Sequence, residues 1–401
     1  MRNESGSQRR IEGCAGITAL AESGGCTGCG CCFAACRAGA IRMVENEYGE
    51  LVPSVDHGKC TGCGLCGRMC PQLEPVGLLY PGGCYAAWAA DSSDREGSSS
   101  GGIGHLLALG ELERGGVVVG CAMERDGRAR HVVVDAVGGL DALRGSKYVQ
   151  SDASDALAAA KRLLAEGREV LFVGTPCQVA AMRKLAGRKN EKLYAVDLVC
   201  HGVPPARYLV EHLRGVTGLA GFDSVTFRDG DNFALRVGSS KSPVYKGNLG
   251  RDSYMSSFMC GDTYRESCYS CRYARPERVG DLTIGDFWGL DRSTLDNRPP
   301  QSVSVVLRNT EKGAELVRRL NGSAMLETRD PQEAIAGNDQ LRAPSKGTER
   351  RRAFRGSIAS MEFDSAVRKS GLARDFLIKR IKGSKALAPL RAVKHALKGR
   401  G

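Results

Sequence analysis

Two short cysteine-rich stretches decide the first part of the fold: CTGCGCCFAAC at Cys26–Cys36 and CTGCGLCGRMCP at Cys60–Pro71. Each contains the spacing C-x2-C-x2-C-x3-C. In such paired runs, three thiolates of one loop bind a 4Fe-4S cube, and the fourth cysteine ligates the other cube. The spacing therefore predicts two cubes, one on Cys26, Cys29, Cys32 and Cys70 and the other on Cys60, Cys63, Cys66 and Cys36.

These paired runs resemble a two-cluster bacterial ferredoxin. Zinc is the alternative, but structural zinc sites use four ligands in two pairs, whereas eight cysteines in two quartets favour clusters. The glycines in CTGCG allow each loop to wrap a cube. One departure is Arg37, which stands where the second run has Pro71. It removes a rigid turn but no ligand.

Composition separates the chain into a nearly neutral body and a basic end. The net charge of the 401 residues is +12, and residues 341–401 alone contain 17 Lys+Arg and 4 Asp+Glu. Oxygen-sensitive clusters and 17 cysteines indicate a reducing cytoplasm rather than a disulfide framework. The first 25 residues show no signal peptide, and no run is long enough for a membrane helix. We therefore expect a cytoplasmic protein.

The pattern of strands and helices predicts an α/β fold (α+β overall) with four regions. We expect a polar leader at 1–24, a two-cluster ferredoxin domain at 25–79, a larger α/β domain at 80–330 and a basic, partly helical tail at 331–401. Alternating strands and helices from Tyr85 onward, including the helix Ser154–Gly167 with Ser154 as its cap, favour a sheet covered by helices. Residues Ser224–Gly247 predict an inserted β-meander.

Four further cysteines form a second candidate metal site. Cys177 and Cys200 each follow a predicted strand, which places them where open α/β sheets bind ligands. Cys268 and Cys271 form SCYSC. Together they could hold a third 4Fe-4S cluster, but structural zinc or inert buried thiols are equally consistent with the residues alone. The other cysteines, Cys14 among them, have no assigned partner.

A serine- and glycine-rich segment opens the first helix of the larger domain. Its residues are Ser98, Ser99, Ser100, Gly101 and Gly102. Hydroxyls and free N–H groups at a helix N-terminus suit a phosphate or pyrophosphate. A serine-capped helix without a ligand is the alternative.

The order of several longer motifs resembles a known family. They are the ferredoxin repeat, SSSGG, LRGSKYVQS, LFVGTPCQVA, VDLVCHGVPP, FRDG, SCYSCRYARPERVGDLTIGDFWG and SVVLRNTEKG. From about Cys26 to Thr328 the chain resembles the beta subunit of coenzyme F-420 hydrogenase/dehydrogenase, in its bacterial form with an N-terminal ferredoxin domain. The resemblance supports the third cluster on Cys177, Cys200, Cys268 and Cys271.

The resemblance also implies FAD beside that cluster, where a two-electron hydride is exchanged for single electrons. It makes Ser98–Gly102 and Gly145–Ser151 candidate FAD contacts, with Lys147 beside the flavin or its phosphates; a surface lysine is the alternative. The implied function is an FAD-dependent iron–sulfur oxidoreductase that serves a redox partner protein. The alternative is a non-catalytic electron-transfer subunit, such as one serving surface-polysaccharide biosynthesis. Arg228 and Asp286 are motif residues without a derived role, and coenzyme F-420 itself is not assumed.

The basic tail contains an imperfect amphipathic pattern. Ala373, Phe376, Leu377 and Ile381 share one helical face, with Arg380 intruding on it. Such a helix could bind an anionic membrane surface at the inner face of the membrane or an acidic partner, and a solvated tail is the alternative. Nucleic-acid binding is not favoured, because no aromatic platform or binding fold accompanies the charge.

Overall fold

The computed structural model describes residues 14–187, 190–230, 232–238, 242–297, 300 and 302–372. The amphipathic stretch predicted at Ala373–Ile381 lies outside the described residues, as does the leader before residue 14. None of the helices in the described part of the chain has the length and apolarity needed to cross a bilayer.

The elements alternate along the chain as predicted for the larger domain. The helices are α1 over residues 14–22, α2 Cys31–Ala35, α3 Leu65–Met69, α4 Ser92–Arg95, α5 Ile103–Glu113, α6 Ser154–Ala165, α7 Pro176–Ala186, α8 Ala206–Thr217, α9 Ser253–Cys260, α10 Glu311–Arg319, α11 Pro331–Gly337, α12 Glu349–Ile358 and α13 Phe363–Ser370. The strands are β1 Ile41–Glu45, β2 Leu51–Val55, β3 Gly83–Ala89, β4 Val117–Met123, β5 Ala129–Val134, β6 Ser151–Asp152, β7 Val170–Gly174, β8 Leu193–Leu198, β9 Val225–Asp229, β10 Asn232–Gly238, β11 Pro243–Asn248, β12 Leu282–Asp286, β13 Ser304–Arg308 and β14 Ala324–Arg329.

A nine-stranded mixed sheet forms the centre of the molecule. Its order is β14-β3-β13-β12-β8-β7-β4-β5-β6, and the inner strands β12, β8, β7 and β4 run parallel. Parallel strands are buried on both faces, which explains the continuous apolar runs in β7 and β8. The mixed sheet with covering helices confirms the predicted α/β class. The predicted meander is also present, as the separate sheet β11-β10-β9.

One central strand was missed by the sequence analysis. β12, the first part of LTIGDFWG, lies between β8 and β13, although its polar and glycine residues break an apolar pattern. Thr283 can be fully buried there because its hydroxyl accepts hydrogen bonds from Arg278 Nε at 3.2 Å and Asn309 Nδ2 at 3.1 Å. A satisfied polar group costs little on burial, and periodicity alone does not reveal such a partner.

Two layers of helices cover the sheet. Helices α5 and α10 pack on one face through residues such as Leu106 and Leu316, and α6 and α7 pack on the other. The cysteine-rich module lies against the second layer, because Cys31 and Ala35 of α2 belong to the same apolar core as Leu157 of α6. This packing brings the ferredoxin-like module to the carboxyl end of β7, where α7 begins.

Helix α7 shows how the motif GTPCQ determines local structure. Thr175 is the N-cap, Pro176 occupies the first turn, and the Gln178 Oε1 accepts from the Thr175 backbone N–H at 3.1 Å. Proline suits the first helical position because its missing N–H would be unpaired there anyway. Cys177 is thereby fixed in the first turn. In α6 the N-cap is Ala153 rather than the expected Ser154, and Asp152 Oδ1 accepts from the Ser154 N–H at 2.9 Å.

Much of the region grouped with the basic tail is packed structure. Phe354 and Ile358 of α12 and Phe363 of α13 are buried in the core that includes α8 and α9. Apolar side chains of this size need such burial, so α12 and α13 pack on the body instead of forming a solvated tail. At the other end, Cys14 and Ile17 of α1 are buried against the cysteine-rich module. The domain boundaries themselves stay predictions.

Candidate functional site

A cavity of about 350 Å³ opens at the carboxyl ends of β7, β8 and β12. The N-terminus of α5 and the loop before β6 close its other sides. Open α/β sheets place ligands at this edge, and volumes of this size are typical of small-molecule sites.

The two predicted FAD segments meet at this cavity. Ser98, Ser99, Ser100, Gly102 and Lys147 line it, whereas Gly101 lies behind the wall. The Ser99 Oγ accepts from the Ser146 N–H at 2.7 Å, which joins the two segments. Gly101 is required for close approach: its N–H donates to Ser304 Oγ at 2.9 Å, and a Cβ there would lie 2.3 Å from a backbone oxygen.

Lys147 is half-buried in the cavity wall. Its Nζ donates to the carbonyl oxygen of Arg144 at 2.8 Å, and burial lowers the pKa of Lys147 to about 8. A bound anion would oppose that shift, because a nearby negative charge favours the protonated amine.

A polar chain lies behind the cavity. The Gln178 Nε2 donates to the Ser151 Oγ at 2.9 Å, and this hydroxyl also bonds to His131 Nδ1 at 2.9 Å. Burial lowers the pKa of His131 to about 4, so the ring is neutral at pH 7. This row of hydrogen-bonded side chains therefore supports the cavity floor without adding charge.

Two other polar atoms at the cavity are buried without a hydrogen-bond partner among the described residues. They are His105 Nδ1 and Asn338 Oδ1, and both residues line the cavity. Buried polar groups are normally satisfied, so these atoms fit a ligand with its own donors and acceptors, as FAD has.

The mouth of the cavity carries aromatic side chains and an ion pair. Arg228 Nη2 lies 2.7 Å from Asp286 Oδ2, and its guanidinium lies 3.7 Å from the centre of the Phe233 ring. Trp288 stacks on Phe233 at 6.2 Å and stays 40% exposed. Arg228 and Asp286, whose role the sequence left open, thus adjoin Phe233 and Trp288, which form a surface on which a planar molecule could stack.

The structure brings together the four cysteines of the second predicted site. Burial raises the pKa of Cys200 to about 12, with smaller contributions from the nearby thiols of Cys177 and Cys271. Burial also raises the pKa of Cys268, and Cys200 and Cys271 add to that shift. Metal binding reverses such shifts, because a coordinating thiol is deprotonated. Cys200 also lines the cavity, so this thiol group and the cavity share a wall.

The first cysteine run lies directly behind this group. Burial raises the pKa of Cys29 to about 12, and Cys177 is among the neighbouring thiols that contribute. Tyr273 is buried between them: Cys177 and Cys29 both interact with its phenol. The Tyr273 hydroxyl has no hydrogen-bond partner in the part of the chain that the structure describes. Such an atom fits an acceptor supplied by a bound cluster.

The thiols of the ferredoxin-like module fall into two groups. Cys26, Cys29 and Cys70 all interact with Cys32 and contribute to its raised pKa, after the larger effect of burial. The crossing rule assigns these four cysteines to one cube, and that assignment stays a prediction. In the other group Cys66 interacts with Cys60 and packs near Cys36, while Cys63 is exposed. Cys14, which had no assigned partner, hydrogen-bonds to Cys60.

Among the described residues, no three or more His, Cys, Asp or Glu side chains are grouped as they would be around a metal ion. In a 4Fe-4S cube each cysteine binds a different iron, so the four thiolates surround the cube rather than one ion.

Sequence reasoning missed the residues that hold the module on the body. Arg265 is buried, and its Nη2 donates to the carbonyl oxygens of Cys26 at 2.6 Å and Leu51 at 3.3 Å. Glu50 of the module, also buried, accepts from Arg355 Nη1 at 2.8 Å and from the backbone N–H of Glu266 at 2.8 Å. An arginine inside RESC carries no local signal for such a role.

Comparison with known proteins gives two family matches. Residues 167–334 match the model for the C terminus of the coenzyme F420 hydrogenase/dehydrogenase beta subunit, and residues 25–73 match a 4Fe-4S dicluster domain. The search of curated proteins found no match. Among solved structures, a chain of the F420-reducing [NiFe] hydrogenase complex from Methanosarcina barkeri, studied by xenon derivatization, is 18% identical over 73% of this chain and 91% of that chain, with a TM-score of 0.46. Residues 167–334 are therefore similar to the C terminus of the coenzyme F420 hydrogenase/dehydrogenase beta subunit, and residues 25–73 form a 4Fe-4S dicluster domain, so the chain is an iron–sulfur protein related to that subunit.

Proposed function

We propose that this chain is an FAD-dependent iron–sulfur oxidoreductase that passes electrons from a hydride carrier or organic substrate to a one-electron partner protein. The observation that carries the proposal is the shared wall: Cys200 belongs to the four-thiol group and also lines the cavity. A flavin in the cavity would supply the change from two-electron to one-electron chemistry.

The residues around the cavity suit the parts of such a cofactor. The hydroxyls of Ser99 and Ser100 and the N-terminus of α5 would bind the pyrophosphate, with Lys147 as the nearby positive charge. His105 and Asn338 offer a buried donor or acceptor to a ring or ribose. The aromatic mouth around Trp288 would bind the electron donor.

The thiol groups would form a path for single electrons. The group on Cys177, Cys200, Cys268 and Cys271 would hold the third 4Fe-4S cluster beside the cavity. The proximal cluster would use Cys26, Cys29, Cys32 and Cys70, and Cys29 lies next to Cys177. The distal cluster would use Cys60, Cys63, Cys66 and Cys36, and the exposed Cys63 brings it to the protein surface.

The surface at the distal cluster indicates the charge of the partner. Arg37 and Lys59 are exposed and directly adjoin Cys36 and Cys60, and Arg68 is exposed within the second run. Three basic side chains beside a surface cluster favour an acidic redox protein, because opposite charges steer encounter and orientation.

We also propose that the basic, amphipathic stretch of sequence after residue 372 binds anionic lipid at the inner membrane face, which would make the protein cytoplasmic and peripheral.

The deciding experiment is anaerobic purification with iron, sulfide, zinc and flavin counted per chain. We expect about 12 iron atoms, since each cluster holds four, and one FAD. About eight iron atoms with bound zinc and no flavin would refute the enzyme and leave a ferredoxin-like electron carrier.

Two variants locate the third cluster. Cys200→Ser should lose about four iron atoms, because one ligand of one cluster is removed. Cys121→Ser is the matched control: Cys121 lines the same cavity but is not one of the four grouped thiols, so its iron content should match the wild type. Equal iron in both variants would contradict the assignment.

A further inference from the structure

Tyr273 occupies the gap between two of the proposed clusters. Its side chain is only 3% exposed, and it belongs to the apolar core that contains Cys29 and contacts Cys177 and Cys271. Within the described residues its hydroxyl has no hydrogen-bond partner. Leaving a buried hydroxyl unpaired is unfavourable, so an acceptor is expected in the protein with its clusters bound.

None of the cysteine sulfurs in the described residues accepts from this hydroxyl, so the acceptor would be a sulfide of a bound cluster. A phenol can donate one hydrogen bond, and the negative charge of a cluster sulfur attracts it. Two proposed ligands of the third cluster, Cys177 and Cys271, pack against the core that contains Tyr273, and one ligand of the proximal cluster, Cys29, belongs to that core. The third cluster is therefore the better placed acceptor.

We propose that the Tyr273 hydroxyl donates a hydrogen bond to a sulfur of the third cluster and raises the reduction potential of that cluster relative to the proximal one. The proposal rests on the third cluster of the proposed function. A donor aimed at a cluster sulfur stabilises the more negative, reduced cluster, and hydrogen bonds to the sulfurs are among the features that set these potentials. Tyr273 is thus a positioning residue that biases how one electron is shared between the two clusters.

The test is Tyr273→Phe, which removes the hydroxyl and keeps the ring. Tyr264→Phe is the matched control: Tyr264 is also buried beside cluster cysteines, Cys200 and Cys268, but its hydroxyl already donates to the Phe258 carbonyl at 2.8 Å. Both variants are titrated anaerobically and followed by electron paramagnetic resonance. In Tyr273→Phe we expect the third cluster to shift negative by about 59 mV, a tenfold change in a one-electron equilibrium. Tyr264→Phe should stay at the wild-type potential.

A second measurement needs no variant. Electron–nuclear double resonance of the reduced wild type should show a proton coupled to the third cluster that disappears after exchange into D2O. Wild-type potentials in Tyr273→Phe with full iron content, or the absence of that exchangeable proton, would overturn the role of Tyr273. A wild-type count of about eight iron atoms would instead remove the third cluster and the proposed function with it.

Discussion

His212 should make the stability of the protein depend on pH. It lies on α8 with its Nε2 2.8 Å from Asp252 Oδ2 and its Nδ1 3.0 Å from the carboxylate of Asp364. Carboxylates only accept hydrogen bonds, so both ring nitrogens must carry protons and the imidazole is charged. Asp252 caps α9 and Asp364 lies in α13, so this contact joins three helices.

The magnitude follows from the pKa. Burial opposes the charge on His212, but the hydrogen bonds and charges of Asp252 and Asp364 outweigh it and raise the pKa to about 9. Because the pKa of His212 is higher in the folded state, its protonation stabilises the fold fully at pH values below the unfolded-state pKa near 6.5. This stabilisation is lost as pH rises through 9. At 1.36 kcal/mol per tenfold change in proton affinity, the contribution is about 3 kcal/mol.

The assay compares anaerobic urea unfolding of the wild type and His212→Gln from pH 6 to pH 10. We expect the variant to be less stable by about 3 kcal/mol at pH 6, and the difference to shrink toward pH 9 and above. Subtracting the two curves cancels the titration of unfolded cysteines, which both proteins share. His57→Gln, at an exposed histidine of the module, should parallel the wild type. A constant difference between wild type and His212→Gln across this range would refute the reasoning.

Three further predictions concern the proposed cofactor and partners. Lys147→Met should weaken FAD binding about tenfold, the loss of one charge-assisted contact, measured by flavin retained on titration; unchanged affinity would exclude a contact between Lys147 and the phosphates. Substituting Glu for Arg37, Lys59 and Arg68 should slow the reduction of an acidic ferredoxin and weaken the salt dependence of that reaction. A neutral dye should still be reduced at the wild-type rate. Equal slowing with both acceptors would count against a docking role. Deleting residues 373–401 should leave iron and flavin content unchanged and weaken sedimentation with anionic vesicles, and equal sedimentation would contradict the membrane proposal.

The truncation must begin at residue 373 rather than at 341, where the charge pattern alone would place it. Phe354 and Phe363 are buried in the body, so a cut at 341 would remove part of a core instead of a tail. Charge counts identify a basic region, but they do not show which of its apolar residues find a partner surface.

Local signals predicted most of the fold because they act over short distances. The strand and helix alternation and the cysteine spacing depend on residues within one or two turns, although the cap of α6 lies at Ala153 and not at the predicted Ser154. The positions of Cys177 and Cys200 followed from the rule that ligands bind at the carboxyl ends of parallel strands. β12 was missed because Thr283 is buried only by virtue of partners elsewhere in the chain.

The rest of the candidate site depends on contacts between distant parts of the chain. Arg265 and Cys26 are separated by 239 positions, and Tyr273 meets Cys29 only because α2 packs on the layer of α6 and α7. No pattern within either segment encodes that meeting. The hydroxyl of Tyr273 and the guanidinium of Arg265 therefore became interpretable only after the module was placed on the body.

That placement also indicates why the module is held by buried charge. Breaking the Glu50–Arg355 contact or removing Arg265 would leave a carboxylate or carbonyl oxygens buried and unpaired, at a cost of about 3–5 kcal/mol for a buried ion pair. Apolar contacts alone would allow small sliding motions at lower cost, because dispersion and burial are not directional. Directional bonds from Arg265 to the loop of Cys26 fix that loop relative to the body. The proposed path of single electrons from the third cluster to the module would need this fixed spacing, and the buried charges would provide it.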